Sequence, residues 1–416
     1  MRSLKLGAVA LFALSLVGCG IAPGSMVSGD RSVSAFGKAG DPFALMSFFA
    51  LDNDLDNGTG IVSNLNSAAA RTSKTVAVSL YDGSRANDST YFFQAPGRAA
   101  EKAAAGEVDS GTAKGLADFL AYGAPKVTGK RKLLAMADHG GGIIRGICSD
   151  WNGPGGKKII HVPEVADVLQ KDPVDLMVFD ACFMNMAEVA YELRGKADVV
   201  IGAQTTTRGD FPYADMVETL DQNAGASNQD AAKAVLKDIA ANANYTVALG
   251  AVDTTKMDAV AQKMKQLVAA MTPKVPTLKR KMQDAIAAAQ PYAWETDPGL
   301  EMYNNYKDFG DVMEQLKKVG DPAIAQAASD VQAAAKEAVL AESHRSGGLF
   351  SREKLERVSG MALYAVPQGS VESKYLTRSW SKDTGWGDLL VKINGGGVWG
   401  PAVAPDKYPY AFPSKK

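Results

Sequence analysis

The chain has 416 residues, of which 46% are hydrophobic and 22% charged, and its formal net charge is −1. This length and composition indicate one large or two ordinary globular domains with a substantial core, and they exclude a disordered chain. Because the net charge is near zero, no overall field attracts the protein to nucleic acid, and nucleic-acid binding is not expected.

The N-terminus has the pattern of an export signal. Basic residues precede an apolar run over residues 6–17, which is too short to remain as a membrane span. The run ends in "LVGC", which resembles a bacterial lipobox, where the signal is removed before a cysteine that is then lipidated. We therefore expect a signal peptide over 1–18, lipid attachment at Cys19 in the cell envelope of a bacterium, and a flexible tether over 19–42. The alternative is an ordinary secretory signal that happens to contain a cysteine.

Residues 43–254 alternate between apolar runs and helical patterns. The unbroken apolar runs cover residues 43–51, 75–81, 132–138, 174–180, 198–204 and 246–252. Unbroken runs are typical of strands that are buried on both faces. This alternation predicts an α/β core with an open, mostly parallel sheet and helices on both faces.

The sequence changes character after residue 254. Residues 256–290 and 299–343 are rich in Ala, Lys and Gln, and their apolar residues have helical spacing. A strand-like run follows over 361–367. We predict a mainly helical part over 255–395, packed on the sheet, and a Gly/Pro-rich tail over 396–416.

One acidic segment has the spacing of a calcium-binding loop. "DNDLDNGTG" places Asp52, Asp54 and Asp56 at alternate positions. An EF-hand loop needs glycine at its sixth position and glutamate at its twelfth, where this chain has Asn57 and Ser63. We therefore interpret the segment as the polar turn after the first strand and assign no metal ligand, which leaves weak calcium binding open.

Two predicted strands end in reactive side chains. "LLAMADHG" places His139 at one strand tip, and "LMVFDAC" places Cys182 at another. The carboxyl ends of parallel strands are where catalytic groups gather, and neighbouring strands would bring the imidazole and the thiol over one crevice. A single buried cysteine or turn histidine is usually packing. The shared position at two strand ends favours a catalytic pair.

The chemistry expected of this pair is covalent catalysis. We expect Cys182 to begin a helix, whose N–H groups and dipole would lower the pKa of the thiol. Thiolate attack on a carbonyl forms an acyl-enzyme, for which a histidine supplies or takes the proton. The glycines after His139 could bind the oxyanion together with the N–H of Cys182. Whether Cys148 and Cys182 form a disulfide or stay free is left open.

The chain resembles the clostripain family of cysteine endopeptidases, in the caspase-like clan. The resemblance covers roughly residues 43–393 and is carried by "FFALDNDLDN", "ADHGGG", "FDACFMNMAEVAYEL", "IGAQTTTRGDFPY", "ALGAVDTTKM", "YKDFGDVMEQL" and "MALYAVPQGS". It implies a caspase-like fold and peptide or protein substrates with Arg or Lys at P1. Matched position by position, it implies Cys182 as the nucleophile, His139 as the general acid and Gly140 as an oxyanion donor.

The resemblance also implies a pocket for the basic P1 side chain and a processing site. Asp180 and Asp210 match the acids of the S1 pocket, although Asp180 could equally cap the next helix and Asp210 could be a turn residue. Relatives are activated by cleavage between the two strands, and Lys157 and Lys158 in a Gly/Pro loop are the predicted sites. The alternative for this loop is a solvated connector. No cofactor is required for the chemistry; calcium is linked to relatives, but its site is unknown.

Two functions are open at this point. The leading interpretation is a lipid-anchored cysteine endopeptidase, or a ligating enzyme that shares its acyl-enzyme. The alternative is a non-catalytic caspase-like lipoprotein that binds peptides or partner proteins. Gln204 and Phe211 depart from the family pattern, which usually has an acid and Trp at these positions, and this affects subsite preference more than the reaction.

Overall fold

The structure, a computed structural model, describes residues 37–38, 40–153, 156–208, 211–293, 303–346 and 354–400. Its strands, in chain order, are β1 (Phe43–Ala50), β2 (Val76–Asp82), β3 (Ser89–Gln94), β4 (Glu101–Gly106), β5 (Arg131–Ala137), β6 (Ile147–Asp150), β7 (Lys158–Ile160), β8 (Val174–Asp180), β9 (Ala197–Ala203), β10 (Val247–Asp253), β11 (Tyr306–Asp308), β12 (Val339–Arg345), β13 (Ala362–Tyr364), β14 (Val371–Glu372) and β15 (Val398–Trp399). Its α-helices are α1 (Gly60–Arg71), α2 (Ala113–Gly123), α3 (Gly142–Arg145), α4 (Val162–Lys171), α5 (Ala187–Glu192), α6 (Tyr213–Gln222), α7 (Asn228–Asn242), α8 (Met257–Met271), α9 (Val275–Ala288), α10 (Phe309–Leu316), α11 (Pro322–Ala338), α12 (Ser373–Leu376), α13 (Ser379–Thr384) and α14 (Trp386–Ile393). The predicted signal peptide, the lipidation site Cys19 and residues 401–416 of the tail lie outside the described residues.

A nine-stranded sheet in the order β12-β10-β9-β8-β5-β1-β2-β3-β4 organises the fold. The five central strands β9, β8, β5, β1 and β2 are parallel. The two strands at each edge join them by antiparallel pairing. The predicted α/β fold with an open, mostly parallel sheet is confirmed, and its antiparallel pairs lie at the edges.

Helices cover both faces of this sheet, as predicted. Successive residues of β1 contribute to opposite cores, since Phe48 packs on one face and Phe49 on the other. Helices α1, α6 and α7 cover the Phe49 face, while α2, α4 and α8–α11 cover the Phe48 face. Burial on both faces explains why the central strands are apolar without interruption.

The six apolar runs predicted as strands form β1, β2, β5, β8, β9 and β10. The other strands of the main sheet, β3, β4 and β12, were not predicted. β4 reads "EKAAAG" and β12 reads "VLAESHR", and both are largely exposed edge strands. Because an edge strand buries little, its sequence need not be apolar. The predicted strand over 361–367 is shorter, since β13 has three residues and pairs with β11 outside the main sheet.

The chain beyond residue 254 is mainly helical, and it makes several contacts with the segments around the site, two of which are backbone-directed hydrogen bonds. The Tyr306 hydroxyl donates a hydrogen bond to the Gly141 carbonyl oxygen at 2.7 Å, and the Ala362 N–H donates to the Asn185 carbonyl oxygen at 2.9 Å. The C-terminal elements thus support the segments that follow β5 and β8. Within the described ranges, no helix combines the length and apolar character needed to cross a membrane.

Candidate active site

The ends of β5 and β8 place the predicted histidine and cysteine side by side. The two strands are parallel neighbours, and Ala137 is in register with Asp180. His139 and Cys182 each lie two residues beyond this pair, so both leave the same edge of the sheet at the same level. Both side chains are largely buried, at 5% and 7% exposure. A shared register puts a thiol and an imidazole in one crevice, the arrangement needed for covalent catalysis.

Gly140 packs the two strand ends against each other. A Cβ atom at this position would clash with the carbonyl oxygen of Cys182 and would lie 2.8 Å from the Cβ of Ala181. The backbone bonds to β6 are made by the neighbours of Gly140, because the Gly141 N–H and the His139 carbonyl pair with that strand. The amide of Gly140 therefore faces away from β6, since alternate residues of a strand point to opposite sides.

The cysteine does not begin a helix, so this expectation from the sequence is wrong. Residues 181–186 form a bend and turn, and α5 starts at Ala187. Phe183 has a φ of +60°, which interrupts any helical path directly after Cys182. Burial raises the pKa of the Cys182 thiol, although the Thr207 N–H donates to its sulfur at 3.3 Å and opposes the rise. The resting thiol is therefore mainly protonated at neutral pH.

The histidine is held by the segment that follows β1. Its Nε2 atom lies 2.7 Å from Oδ1 of Asp54, whose side chain is 43% exposed. The neighbouring Asn53 donates from Nδ2 to Oδ1 of Asp138 at 2.8 Å. The ring of Trp151 lies nearly parallel to the imidazole of His139, with 6.4 Å between centroids. These contacts fix the imidazole between two loops.

Asp180 is a partly buried acid two residues before the cysteine. Its Oδ2 atom accepts a hydrogen bond from the Tyr213 hydroxyl at 3.1 Å. Burial raises the pKa of Asp180 to about 7; the charge of Asp138 adds to the rise, and the Tyr213 bond opposes it. The N-cap of α5 is Met186, so Asp180 does not cap that helix. Among the described residues, no cation contributes to this shift, and a buried carboxylate in such surroundings favours a cationic ligand.

The predicted processing lysines lie beside the histidine. The Nζ atom of Lys157 lies 3.9 Å from the ring centroid of Trp151, the same ring that stacks on His139. Lys158 is the first residue of β7, where its backbone pairs with Asp150, and its ammonium group forms an ion pair with Asp109. The ring of Trp151 thus contacts both Lys157 and the imidazole of His139, whereas Lys158 is part of β7.

The two cysteines are both free and buried, so they form no disulfide. Burial raises the pKa of the Cys148 thiol well above its ordinary value, and the charge of Asp138 adds to this. Cys148 packs in the core formed on the face of α2 and α4. It behaves as a small buried apolar side chain.

The three alternate acids of the segment after β1 do not converge on one ion, consistent with a polar turn. Asp54 contacts His139, whereas Asp56 accepts hydrogen bonds from Ser84 and the Tyr81 hydroxyl. Asp52 points elsewhere, towards the side chain of Asn152.

Three residues near the pair were not assigned to this site from the sequence: Asp54, Trp151 and Thr207. Asp54 and Thr207 each follow the end of a central strand, β1 and β9, so the same rule that found Cys182 could have suggested them. Nothing local identifies their partners. Asp210, predicted for the S1 pocket, lies outside the described residues.

The fold and the pairing of a thiol with an imidazole at adjacent strand ends are those of caspase-like cysteine peptidases. The model of the Clostripain family matches residues 51–391, and the chain belongs to this family. Clostripain of Hathewaya histolytica is 30% identical over 142 residues, which is 30% of this chain and 27% of the length of that relative.

Solved structures of C11 proteases share the fold. An inactive zymogen C11 protease from Parabacteroides distasonis superposes with a TM-score of 0.60 at 18% identity, over 83% of this chain and 98% of that one. A secreted C11 cysteine protease from Bacteroides thetaiotaomicron, in complex with an irreversible peptide inhibitor, gives 0.65 at 17% identity over 83% and 99%. At such low sequence identity, these structural similarities show only that the fold is shared.

Proposed function

We propose that this protein is a cysteine endopeptidase that cleaves peptide bonds after Arg or Lys. The observation that carries the proposal is the common register of His139 and Cys182 at adjacent strand ends, which Gly140 allows to pack closely against each other. Membership of the clostripain family supports the reaction class. The partly buried carboxylate of Asp180 supports the basic P1 preference, because a guanidinium or ammonium group would supply it with a counter-charge. Asp210 is the second acid that we assign to this pocket.

The reaction proceeds through an acyl-enzyme. The thiol of Cys182 transfers its proton to the imidazole of His139 as the sulfur attacks the scissile carbonyl carbon, and the tetrahedral oxyanion accepts a hydrogen bond from the N–H of Gly140. His139 protonates the leaving amine as the C–N bond breaks, which leaves a thioester on Cys182. Water then attacks the thioester, releasing the carboxylic acid and restoring the thiol. Oδ1 of Asp54 lies 2.7 Å from Nε2 of His139 and orients the imidazole ring.

A panel of peptides that differ only at P1 tests this proposal. We expect cleavage after Arg and Lys by wild type, no cleavage by Cys182→Ala, and unchanged cleavage by Cys148→Ala. Cys148 is the matched control, because it is the other buried free cysteine. An irreversible peptide inhibitor with Lys at P1 should modify Cys182 alone, located by mass spectrometry. Peptide binding without cleavage in wild type would instead favour the non-catalytic alternative.

We further propose that the chain cleaves itself after Lys157. Lys157 stacks on Trp151 next to His139, while cleavage after Lys158 would require part of β7 to separate from β6. The zymogen state of the Parabacteroides distasonis relative is consistent with such activation. Intact-mass analysis should find two fragments in wild type and in Lys158→Ala, but one chain in Cys182→Ala and Lys157→Ala. A single, fully active wild-type chain would contradict the proposal.

The last part of the proposal is the lipid anchor at Cys19, which rests on the "LVGC" motif. Lipidation would tether an exported peptidase to the bacterial cell envelope. Wild-type protein from its host should partition with membranes, and Cys19→Ser should be released into the soluble fraction. Equal distribution of the two proteins between the membrane and soluble fractions would contradict lipid attachment at Cys19.

A further inference from the structure

Within the described residues, the sulfur of Cys182 makes its hydrogen bonds with a single partner, Thr207. The Thr207 N–H donates to Sγ at 3.3 Å, the hydroxyl oxygen lies 3.7 Å from Sγ, and the carbonyl oxygen lies 3.9 Å from it. A thiol is a weak donor and its sulfur a weak acceptor, so it accepts from the N–H and donates to one of the two oxygens. Thr207 therefore surrounds the atom that attacks the substrate in the proposed reaction.

The chain that follows β9 is held between the turn after Cys182 and β10. On one side, the Phe183 N–H donates to the Thr205 carbonyl oxygen at 3.0 Å. On the other side, the fully buried Thr205 hydroxyl accepts from the Ala248 N–H of β10 at 3.2 Å. The position of Thr207, two residues further on, is thus fixed beside the sulfur by hydrogen bonds to two different elements.

The contacts with Thr207 take the place of the helix N-terminus that the sequence led us to expect. N–H groups at the start of a helix favour a thiolate, but α5 begins at Ala187, so its first N–H groups do not follow Cys182 directly. The N–H of Gly140 is assigned to the oxyanion and not to the sulfur. Among the described residues, the donor left for a thiolate at this position is Thr207.

The hydroxyl of Thr207 can serve the sulfur in both of its protonation states. A hydroxyl group accepts or donates according to how it is turned, so it can accept from the resting thiol and donate to the thiolate. After the thiol has lost its proton, the N–H and the O–H of Thr207 both donate to a charged acceptor. Hydrogen bonds to a charged group are about twice as strong as those between neutral groups. The contacts with Thr207 therefore favour the reacting thiolate over the resting thiol, as transition-state stabilisation requires.

We propose that Thr207 is a catalytic residue whose N–H and hydroxyl stabilise the thiolate of Cys182 as it attacks the substrate. The thiol proton passes to the imidazole of His139, and the sulfur lone pair forms the bond to the carbonyl carbon. Thr207 keeps its own hydroxyl proton and shares it only in a hydrogen bond. The effect of Thr207 on turnover rests on the proposed function, whereas its effect on the acidity of the thiol does not.

Other titratable groups face the sulfur from the surrounding elements, and these are Asp180, Arg208, Tyr245, Tyr303 and, at the neighbouring strand end, His139. Burial has the largest effect on the pKa of the Cys182 thiol and raises it, the bonds from Thr207 lower it, and the charges of Asp180 and Arg208 act in opposite directions. A Thr207→Val substitution leaves all of these groups in place. A change in thiol acidity between this variant and wild type therefore reports the hydroxyl.

The pH dependence of alkylation by iodoacetamide tests the effect on the thiol without any peptide substrate. Modification of the full chain is followed at Cys182 by peptide mass spectrometry. The profile of Thr207→Val should lie about 0.5 to 1 higher on the pH scale than that of wild type, because one hydrogen bond to a charged acceptor is lost. Thr207→Ser keeps the hydroxyl and should restore the wild-type profile.

Thr206→Val is the matched control for this experiment. Thr206 is the half-buried neighbour of Thr207, and its side chain is not a hydrogen-bond partner of the sulfur in the described part of the chain. Its alkylation profile should match that of wild type. Thr207→Ala should shift the profile as Thr207→Val does, and it replaces that variant if circular dichroism shows a folding defect. Superimposable profiles for wild type and the folded Thr207 variant, or an equal shift for Thr206→Val, would overturn the assignment.

The effect on turnover should appear in kcat and not in KM. The bonds from Thr207 become stronger only after substrate has bound and the thiol proton has left, so Thr207→Val should lower kcat for a peptide with Lys at P1 by about five- to tenfold. Thr207→Ser should recover most of this loss. A raised KM with unchanged kcat would overturn the catalytic role, because it indicates lost substrate binding. A shifted alkylation profile in a chain that cleaves no peptide would contradict the proposed function and leave the effect of Thr207 on the thiol intact.

Discussion

Replacing Asp180 with Asn tests whether a buried charge defines substrate choice. The substitution keeps the shape of the side chain and removes its negative charge. A hydrogen bond to a charged group contributes about 1.5–3 kcal/mol, so kcat/KM for Arg and Lys substrates should fall by about 10- to 150-fold. Substrates with Leu at P1 should be affected much less, because they bring no cation to the pocket.

The same substitution should stabilise the free enzyme. Burial raises the pKa of Asp180 from 3.8 to about 7, so the folded chain holds this proton more tightly than the unfolded chain. The free energy of unfolding therefore falls as pH rises from about 4 to about 7, and the loss is complete above pH 7. A rise of this size corresponds to at most about 4 kcal/mol. Because Asp180 is partly exposed and solvent screens its charge, we expect about 1–2 kcal/mol.

Two measurements test these effects of Asp180→Asn on stability and specificity. Urea unfolding in the Cys182→Ala background should show Asp180→Asn to be more stable than its parent at pH 8 and equal to it at pH 4. For peptides with Lys or Leu at P1, the ratio of kcat/KM for Lys to kcat/KM for Leu should fall in Asp180→Asn only. Glu188→Gln is the matched control, because Glu188 is a fully buried acid with a pKa of about 7 that binds the Tyr364 N–H and the Tyr375 hydroxyl. An equal loss for both P1 types in Asp180→Asn would refute the reasoning.

Three further predictions concern the strand ends. Cys182→Ala should abolish hydrolysis with an unchanged circular dichroism spectrum, and His139→Ala should lower kcat by about 10²-fold or more; full activity in either variant contradicts the assignment. Gly140→Ala should cost about 1–3 kcal/mol in urea unfolding, because its Cβ clashes with the Cys182 carbonyl oxygen, and wild-type stability would argue against this packing. Alkylation of Cys182 by iodoacetamide should keep rising with pH up to about 9, since burial raises the thiol pKa; a plateau near pH 7 would indicate a resting thiolate.

The strand ends that carry the site could be predicted because each depends on a local pattern. A strand buried on both faces needs an unbroken apolar run, and the run ends where the chain leaves the sheet. The runs before His139 and Cys182 end within two residues of the last paired residues, Ala137 and Asp180. The prediction that the two strands are neighbours needed one assumption, that the long connection between them joins adjacent strands. It does so here through α4.

Contacts between distant segments could not be predicted in this way. The partner of His139 is Asp54, which is 85 positions away, and the sequence near either residue does not indicate the other. The edge strand β12 has the composition of the helical region that precedes it, because its exposed surface needs no apolar side chains. Asp52 shows the same limit, since its buried neighbours Asp82 and Asp150 come from two other strands.

Cys182 does not begin a helix, and this changes how the proposed nucleophile must be activated. A helix starting at the cysteine would lower the thiol pKa in the resting enzyme, but α5 starts at Ala187 and burial raises that pKa instead. The thiolate must therefore form when substrate is bound, as the thiol proton is lost in the approach to the carbonyl. Such an enzyme gains its reactivity from the positioning of the substrate over the pair. Because a basic P1 side chain would also neutralise Asp180, substrate binding removes a negative charge that lies two residues from the sulfur and favours the thiolate at the step that needs it.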